Sequence, residues 1–363
     1  CWHSQQQTCH PDSFRPDNAR TEASHRDIVS RFTLHVMMGF IKRHPVIIAL
    51  VLIYIAIDVL YRFGILNSYI VQLIMFVAIN IVMTVSLGVI NGFTGQFSIG
   101  HAGFMAIGAY VAVFFTTIIF QMAGLSEPSK LLGYPLFFIA VGIGGICAAG
   151  AGFLIGLPTL RLKGDYLAIV TMAFGEVIRT IIRVSEPLGG PRGVGGIPAY
   201  TNFTTVFGFS VISVWLMRNF LFSSYGRASR AIRDNEMAAE IMGIDSTHQK
   251  VLVFALSAFF AGCCGGFYAH ILQYIHPDNF TFFKSLEYLI YLYIGGANSI
   301  SGAISGAFIF TFVPELLRQL QAWRMVIYSI ALVLVMIFRP DGILGDHEFP
   351  FMYHKRMRVK RTT

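Results

Sequence analysis

The sequence has few charged side chains. Aspartate, glutamate, lysine and arginine together make up 13% of its 363 residues, whereas a soluble domain contains about a quarter. Hydrophobic residues make up 55%, too many to be buried by a protein that is surrounded by water. The net charge of +8 does not indicate nucleic-acid binding, because the basic residues lie mostly in short segments beside apolar runs. Composition therefore indicates a chain whose main solvent is membrane lipid.

The sequence also lacks the residue patterns of catalysis and metal binding. It has no G-x-x-x-x-G-K-[ST] phosphate loop, so it does not hydrolyse ATP by that means. No Ser/His/Asp order, paired carboxylates or Cys/His cluster stands in a catalytic setting, and His101 has no second ligand nearby. Cys263 and Cys264 are adjacent within an apolar run, which makes a disulfide framework implausible. We expect neither an enzyme nor a metal site.

Apolar segments of about spanning length follow one another along the chain, and they predict an all-α polytopic membrane protein with about ten transmembrane helices. The segments are 46–63, 68–90, 104–122, 135–157, 166–182, 204–222, 250–275, 286–298, 301–317 and 324–338. We assign 44–345 to a membrane domain, 1–43 to a polar and disordered tail, and 346–363 to a basic tail. A start assigned too early, with the functional chain beginning near Met37 or Met38, would explain the polar first segment.

The basic residues are distributed unevenly between the two sides of the membrane. Ten spans place both termini on one side, and cytoplasmic loops carry the excess of lysine and arginine. With cytoplasmic termini, the outer segments hold only scattered basic residues, so we predict that both termini lie inside. The residues placed inside are Lys42, Arg43, Arg161, Lys163, Arg227, Arg230, Arg233, Lys250, Lys355, Arg356, Arg358, Lys360 and Arg361, and those outside are Arg62, Lys130, Arg183, Arg192, Lys284, Arg318 and Arg324.

Two stretches rich in Gly, Ser and Asn interrupt the apolar segments, one in each of two apparently related halves. The first break covers 91–103 and the second covers 295–303. Non-helical backbone at membrane depth is shielded by protein or lines a cavity, so paired breaks predict a translocation path. The alternative is that both are tight turns between hairpin helices. The path residues that we select are Gly92, Thr94, Gly95, Gln96, Ser98, His101, Gly295, Gly296, Asn298 and Ser299.

A hydrophilic segment within the membrane domain, 223–250, predicts a short amphipathic helix on the cytoplasmic side. Arg230 and Asp234 would pair at i,i+4, and Gly243 would end the helix. Its mildly apolar face lacks the Trp, Phe or Leu of interfacial anchors, which favours docking into a groove of another protein over binding to the inner leaflet. That face would consist of Ala228, Ile232, Asn235, Ala239 and Met242.

Two pairs of opposite charge lie in the apolar segments. Glu176 and Arg179, at i,i+3 in the fifth segment, could relay protons or neutralise each other. For Asp58 and Arg62, at i,i+4 near the end of the first segment, a structural ion pair is favoured. The Gly-rich segment 189–198 lies outside by this topology. It could contact a docked binding protein or serve as a simple connector.

Several motifs resemble those of known permeases. Glu236, Ala238, Ala239 and Gly243 match the Glu-Ala-Ala and Gly signature in the coupling loop of bacterial ABC-transporter permeases. Further matches, in the family's order, are GFTGQFSIGHAG at 92–103, LRLKGDYLAIVT at 160–171, FGEVIR at 174–179 and RPDGILG at 339–345. As a set they resemble the branched-chain amino-acid permease family, specifically its LivM-type subunit, over about 70–345. The tyrosines in YLYIGGAN at 291–298 depart from the family's aliphatic run.

The resemblance implies the membrane-spanning permease subunit of an ABC importer in a bacterial inner membrane. Its partners would be a second permease subunit, two cytoplasmic ATPases that bind ATP and Mg, and a periplasmic or extracellular solute-binding protein; this chain itself would bind no cofactor. The solute would be a branched-chain amino acid, with urea or a short amide as alternatives. An ion-coupled secondary transporter that uses Glu176, and a channel or receptor without energy coupling, remain open. The residues expected to couple to the ATPase are Arg227, Arg230, Arg233, Glu236, Ala238, Ala239 and Gly243.

Overall fold

The computed structural model describes residues 45–64, 66–119, 130–159 and 164–317, together with scattered positions between 323 and 348. This part of the chain is predominantly helical. Its helices are α1 (Pro45–Arg62), α2 (Ser68–Asn91), α3 (His101–Phe114), α4 (Lys130–Thr159), α5 (Asp165–Val184), α6 (Phe203–Phe222), α7 (Ser224–Asp234), α8 (Glu236–Ile241), α9 (Ser246–Leu272), α10 (Phe282–Gly295) and α11 (Ile300–Leu316). A π-helical segment, Phe115–Ile119, extends α3, and short 3-10 helices occupy Glu186–Leu188, Gly190–Arg192 and Pro277–Phe280.

Four of the described helices, α2, α4, α6 and α9, are long and apolar enough to cross a bilayer. Burial separates them into two kinds: 67% of the apolar stretch of α2 and 72% of that of α9 is buried, against 39% for α4 and 28% for α6. Large apolar side chains such as Ile146, Leu154 and Trp215 therefore remain exposed on α4 and α6. We infer that α2 and α9 form the centre of the bundle while α4 and α6 face lipid.

Small residues allow the helices around α9 to approach backbone to backbone. A Cβ added at Gly108 of α3 would lie 2.0 Å from the carbonyl oxygen of Gly262 in α9, and one added at Gly265 would lie 1.9 Å from that of Met105. Close approach through glycine is the common packing mode of helices in membranes, where burial of apolar surface does not drive association. The many glycines of the sequence thus fix the position of α3 against α9.

Helix α9 separates two sides of the molecule. Its 27 residues span about 40 Å. At its first residue, the Ser246 hydroxyl donates a hydrogen bond to Glu240 of α8. Beyond its last residue, β2 (Tyr274–Ile275) pairs antiparallel with β1 (Val194–Gly195), with Val194 opposite Ile275. The α7 and α8 helices therefore lie on one side and the two-stranded sheet on the other.

The first nine predicted segments each coincide with a helix within the described residues, and most boundaries agree within a few residues. The largest differences are that α3, α4, α9 and α10 begin three, five, four and four residues earlier than predicted, and that α9 and α10 also end three residues earlier. The tenth segment and both tails lie mostly or wholly outside the described residues. The division into two related halves stays a prediction.

Helix α1 precedes this bundle in the sequence. It confirms the predicted pair of opposite charges, since Arg62 Nε donates to Asp58 Oδ2 at 2.8 Å. Arg62 is exposed, with 77% of its side chain accessible, so the pair contributes little to stability. The exposure of Arg62 is consistent with the prediction that Asp58 and Arg62 form a structural ion pair.

Candidate functional site

The first break is a non-helical segment of nine residues between α2 and α3. It starts as a turn, because the amides of Gly92 and Phe93 both donate to the carbonyl of Gly88 and the Thr94 hydroxyl donates to the carbonyl of Val89 at 2.9 Å. From residue 95 to 100 the chain has no regular structure, yet half of these residues are buried and only Gly95 is exposed. A segment of this length is not a tight turn, so that alternative is wrong for the first break.

Side chains from three helices satisfy the backbone of this segment. Asn91 of α2 accepts a hydrogen bond from the amide of Ser98 at 3.2 Å and donates one to its carbonyl at 3.3 Å. Thr171 of α5 accepts from the amide of Ile99 at 3.1 Å, and Ser285 of α10 accepts from that of Ala102 at 2.9 Å. Non-helical backbone at membrane depth requires such internal partners. The first break is thus a built element of the protein interior.

Some polar atoms near this segment have no partner among the described residues. They are both amide atoms of Gln96, the hydroxyl oxygen of Ser98 and Nδ1 of His101. The other ring nitrogen of His101, Nε2, lies 2.8 Å from the Ser86 hydroxyl, and His101 is fully buried. Because buried polar groups are normally hydrogen-bonded, these atoms point to contacts with water, a solute or a partner chain.

The second break covers only the four residues between α10 and α11, so its length fits the tight-turn alternative. It contacts the first break directly, since a Cβ added at Gly92 would lie 1.8 Å from the carbonyl oxygen of Ala297. Ser299 caps α11 by accepting a hydrogen bond from the amide of Gly302 at 3.0 Å. Gly295 and Gly296 at the end of α10 are buried, whereas Asn298 is exposed. The structure thus brings the two sets of predicted path residues together.

The described part of the RPDGILG motif, residues 342–345, closes the second break, a role that sequence reasoning missed. The amide of Ile343 donates to the carbonyl of Ile294 at 2.7 Å, and that of Leu344 donates to the carbonyl of Gly295 at 3.2 Å. Further along, Glu348 accepts a hydrogen bond from the amide of Ile300 at 3.0 Å, at the start of α11. The Asp-Gly pair in the motif was the available signal, but nothing in the sequence identified what this stretch would contact.

The predicted cytoplasmic helix is two helices. Asn235 leaves the helical conformation with φ −160°, and its side chain accepts a hydrogen bond from the amide of Ala238 at 3.0 Å, which caps α8. Asparagine favours such local bonds over a helix interior, which explains why the prediction of a single helix was wrong. Gly243 follows α8 with φ +86°, so the predicted end of the helix is confirmed. We call residues 224–243 the coupling segment.

The predicted apolar face is partly wrong. Ile232 and Ala239 are each 4% exposed, because they pack against the protein itself. Met242 is 82% exposed, as the predicted docking face requires, and Met237 (73%) and Ile241 (85%), which the prediction did not include, are exposed as well. Met237 and Ile241 share one face of α8 at i,i+4, and Met242 follows them. We call these three residues the docking patch; Ala239, chosen from the sequence as a contact for a partner, lies on the inner side instead.

Charged residues attach the coupling segment to the bundle. Glu236 of α8 accepts a hydrogen bond from Lys250 of α9 at 2.5 Å. Arg230 lies over the ring of Phe93 at 5.4 Å and donates to the carbonyl of Leu221 at 3.1 Å. The ion pair of Asp234 is with its neighbour Arg233, not the predicted one at i,i+4.

Arg233 joins the coupling segment to both breaks. Its Nη1 donates to the carbonyl of Gly92 at 3.1 Å and to the side-chain oxygen of Asn298 at 3.0 Å. Gly95 lies against the same side chain, because a Cβ added there would be 2.8 Å from Arg233 Cγ. Arg227, by contrast, makes local contacts, to the carbonyl of Phe222 and the hydroxyl of Ser224. The exposed Ala238 and the buried Ala239 belong to α8.

The intramembrane pair predicted in α5 is confirmed, with Arg179 Nε 3.2 Å from Glu176 Oε2. Glu176 has a second contact, because its Oε1 accepts a hydrogen bond from the amide of Phe282 at 3.1 Å, at the start of α10. Asp278, in the 3-10 helix before α10, pairs with Arg183 and lies 3.9 Å from Arg179. These contacts give Glu176 a structural role between α5 and α10.

A second ion pair in an apolar helix was missed. Lys284 was assigned to an outer segment, yet it lies within α10, 2.7 Å from Glu287 Oε2. The signal was present as opposite charges at i,i+3, but the neighbouring Phe and Tyr residues obscured where the helix begins.

The Gly-rich segment 189–198 contains β1, and its Arg192 carbonyl accepts a hydrogen bond from the Tyr274 hydroxyl at 2.9 Å. That segment therefore belongs to the folded side opposite the coupling segment.

Long apolar helices, lipid-facing apolar surface and a buried non-helical segment together define a multi-pass membrane protein. Comparison with known proteins specifies its class: the family described as branched-chain amino acid transport system, permease component, matches residues 69–338. The chain belongs to that family.

Individual relatives agree with this family. The high-affinity branched-chain amino acid transport system permease protein LivM of Escherichia coli strain K12 is 32% identical over 301 residues, which cover 73% of this chain and 68% of the relative. LivH of Salmonella typhimurium is 24% identical over 285 residues, covering 71% and 89% of the two chains. The guanosine ABC transporter permease protein NupQ of Bacillus subtilis is 25% identical over 266 residues, covering 69% and 82%. No solved structure matches the chain.

Proposed function

We propose that this chain is a permease subunit of an ABC importer that carries branched-chain amino acids across a bacterial inner membrane. Relatives of both the LivM and the LivH kind support a pair of different permeases, and the relative named as an ABC transporter permease supports energy supply by ATP. ATP and Mg are bound by two separate ATPase chains, and a solute-binding protein delivers the solute to the side of the two-stranded sheet. Both termini lie in the cytoplasm.

The observation that carries the proposal is the position of the coupling segment. Its docking patch exposes three large apolar side chains that the described part of the chain leaves uncovered, while Arg233 on its inner side bonds to both breaks. A protein that binds the patch and then moves would pull on the breaks, which is the arrangement that an external energy source needs. Pivoting of rigid helices at such breaks alternates access to the two sides.

Replacing Ile241 with aspartate tests this function. The substitution places a charge at the most exposed position of the docking patch, so we expect the ATPase subunits to co-purify at least about tenfold less and ATP-driven leucine uptake to be lost. The matched control is Thr247→Asp, which adds the same charge at an exposed position on the same side, in the first turn of α9, where a helix accepts it. Co-purification is measured in detergent.

The result separates the proposal from membrane anchoring by the same patch. Removal of the bilayer by detergent would make an anchor irrelevant, so Ile241→Asp would then leave co-purification unchanged. Leucine accumulation by vesicles that hold this chain alone, without nucleotide, would also contradict the proposal.

Replacing Glu176 with glutamine separates an ATP-driven importer from an ion-coupled carrier. The amide oxygen still accepts a hydrogen bond from Phe282, and Arg179 keeps Asp278 nearby, so we expect ATP-driven uptake to fall less than about fivefold. A carrier that uses Glu176 as its coupling carboxylate would lose uptake driven by a proton gradient. Uptake is measured in proteoliposomes with ATP alone and with a pH gradient alone; loss under the second condition from an active wild type would favour the carrier.

A further inference from the structure

The Lys284–Glu287 ion pair of α10 takes no part in the coupling contacts. Lys284 Nζ lies 2.7 Å from Glu287 Oε2 and 5.2 Å from the centre of the Tyr288 ring. The other carboxylate oxygen accepts a hydrogen bond from the Tyr291 hydroxyl. Even so, 23% of the Lys284 side chain and 35% of the Glu287 side chain remain exposed. Both charges therefore have surface available for a further contact.

The pair lies near the middle of the membrane. Helix α10 ends at Gly295, next to the coupling segment, and Lys284 and Glu287 precede that residue by about 16 and 12 Å along the helix axis. Half of the hydrocarbon core of a bilayer measures about 15 Å. Ser285, the neighbour of Lys284, accepts a hydrogen bond from Ala102 at the start of α3. The ion pair is therefore beside the inner end of the first break.

Charges at this depth do not face lipid tails. Exposed ionisable groups inside a membrane protein face a water-filled cavity or a partner chain. Both charged side chains are partly accessible, as expected of residues that face such a cavity or partner. Aromatic rings adjoin the pair: Tyr268 lies in electrostatic range of both charges and stands 5.8 Å from Phe76, and these two residues are half-buried. The site thus combines one positive charge, one negative charge and partly accessible rings.

We propose that this ion pair and its neighbouring rings contact the solute on its path, and that they take a zwitterionic amino acid with an apolar side chain. Lys284 binds the carboxylate of the solute, Glu287 binds its ammonium group, and the rings hold the side chain. Without solute, the two residues neutralise each other, which limits the cost of keeping charge at this depth. The inference rests on the proposed function and specifies its solute chemistry. Urea and nucleosides carry no such pair of charges.

Equilibrium binding to the complete importer in nanodiscs, without its solute-binding protein, tests the site. Radiolabelled L-leucine is the probe, and L-leucinamide and 4-methylpentanoate are competitors that each lack one of its two charges. We expect saturable leucine binding, with each competitor at least about tenfold weaker than unlabelled leucine. Lys284→Met and Glu287→Gln should each weaken leucine binding at least about tenfold and lower ATP-driven uptake in proteoliposomes.

Two further variants test whether weaker leucine binding results from misfolding of the protein. Lys284→Met/Glu287→Gln removes both charges at once, so it leaves no unpaired charge, and Asp58→Asn removes a carboxylate from the ion pair of α1. We expect both to assemble with the ATPases, and Asp58→Asn to keep ATP hydrolysis within twofold of wild type when loaded binding protein is added. Only the first should lose leucine binding.

The outcomes separate this site from the proposed function. The site is overturned if the Lys284 and Glu287 variants keep unchanged leucine binding and uptake, or if the wild type shows no saturable leucine binding. In either case, ATP-driven leucine uptake by the wild type still supports the proposed function. Loss of assembly in the double variant shows a contact with the partner permease and also overturns the site. A wild-type importer that takes up guanosine but no leucine overturns the proposed solute and the site together.

Discussion

Replacement of Arg233 with alanine should leave the importer assembled and able to hydrolyse ATP, but should lower solute uptake. Arg233 is the residue through which the coupling segment bonds to both breaks, to the carbonyl of Gly92 and to the side chain of Asn298. Coupling between distant sites is typically worth about 1–3 kcal/mol, so we expect uptake to fall about 5- to 150-fold. Arg233→Lys should also be impaired, because one ammonium group does not reproduce the fork of a guanidinium.

The control for this prediction is Arg227→Ala. It removes the same charge from the same helix, but Arg227 contacts only the adjoining Phe222 and Ser224 among the hydrogen bonds resolved for it. Uptake per ATP hydrolysed, measured in proteoliposomes at saturating binding protein, should therefore change little in the control. Equal loss in both variants would show that charge on α7 matters and that the bonds to the breaks do not.

The sequence predicted most of the helices because composition and length suffice for that purpose. In a bilayer, each backbone group needs an internal partner, so a long apolar stretch such as that of α2 or α9 is helical. Glycine, serine and asparagine also marked both breaks correctly. What they did not reveal is the difference between them: the first break is a buried segment held by Asn91, Thr171 and Ser285, while the second is a short turn.

In the coupling segment, helical periodicity predicted part of the outward-facing surface wrongly. A 3-4 spacing suggested one helix, but the asparagine at 235 caps a second helix and rotates the residues that follow. Ile241 consequently faces outward and Ala239 inward, while Met242 is exposed as predicted. Periodicity assumes an unbroken helix, so one capping residue was enough to move Ala239 from the predicted docking face to the packing face.

Contacts between distant parts of the sequence were beyond prediction. Arg233 and Gly92 are separated by 141 positions, and Ser299 donates to the carbonyl of Gly345 from 46 positions away. Their residue types carry no mark of a partner. Lys284 and Glu287 differ from these contacts, because their i,i+3 spacing is visible in the sequence. Their pairing within a helix was missed because α10 begins earlier than predicted.

Replacement of Gly92 with alanine should have the largest effect on stability. The added Cβ would lie 1.8 Å from the carbonyl oxygen of Ala297, and its next neighbours are also backbone atoms, so no side chain can move to make room. We expect a loss of about 3 kcal/mol or more, at the upper end of overpacking costs, seen as a fall of several degrees in the unfolding midpoint in detergent.

Gly150→Ala is the matched control for this substitution. An added Cβ there meets no atom within 4 Å, and the site is in the helix α4, where alanine is favoured over glycine by about 1 kcal/mol. Its midpoint should be equal to that of the wild type or slightly higher. A stable Gly92→Ala protein would mean that the two breaks do not touch, and the Arg233 contacts would then join the coupling segment to two independent elements. If instead only Gly92→Ala unfolds, the breaks form one unit that a single arginine can move.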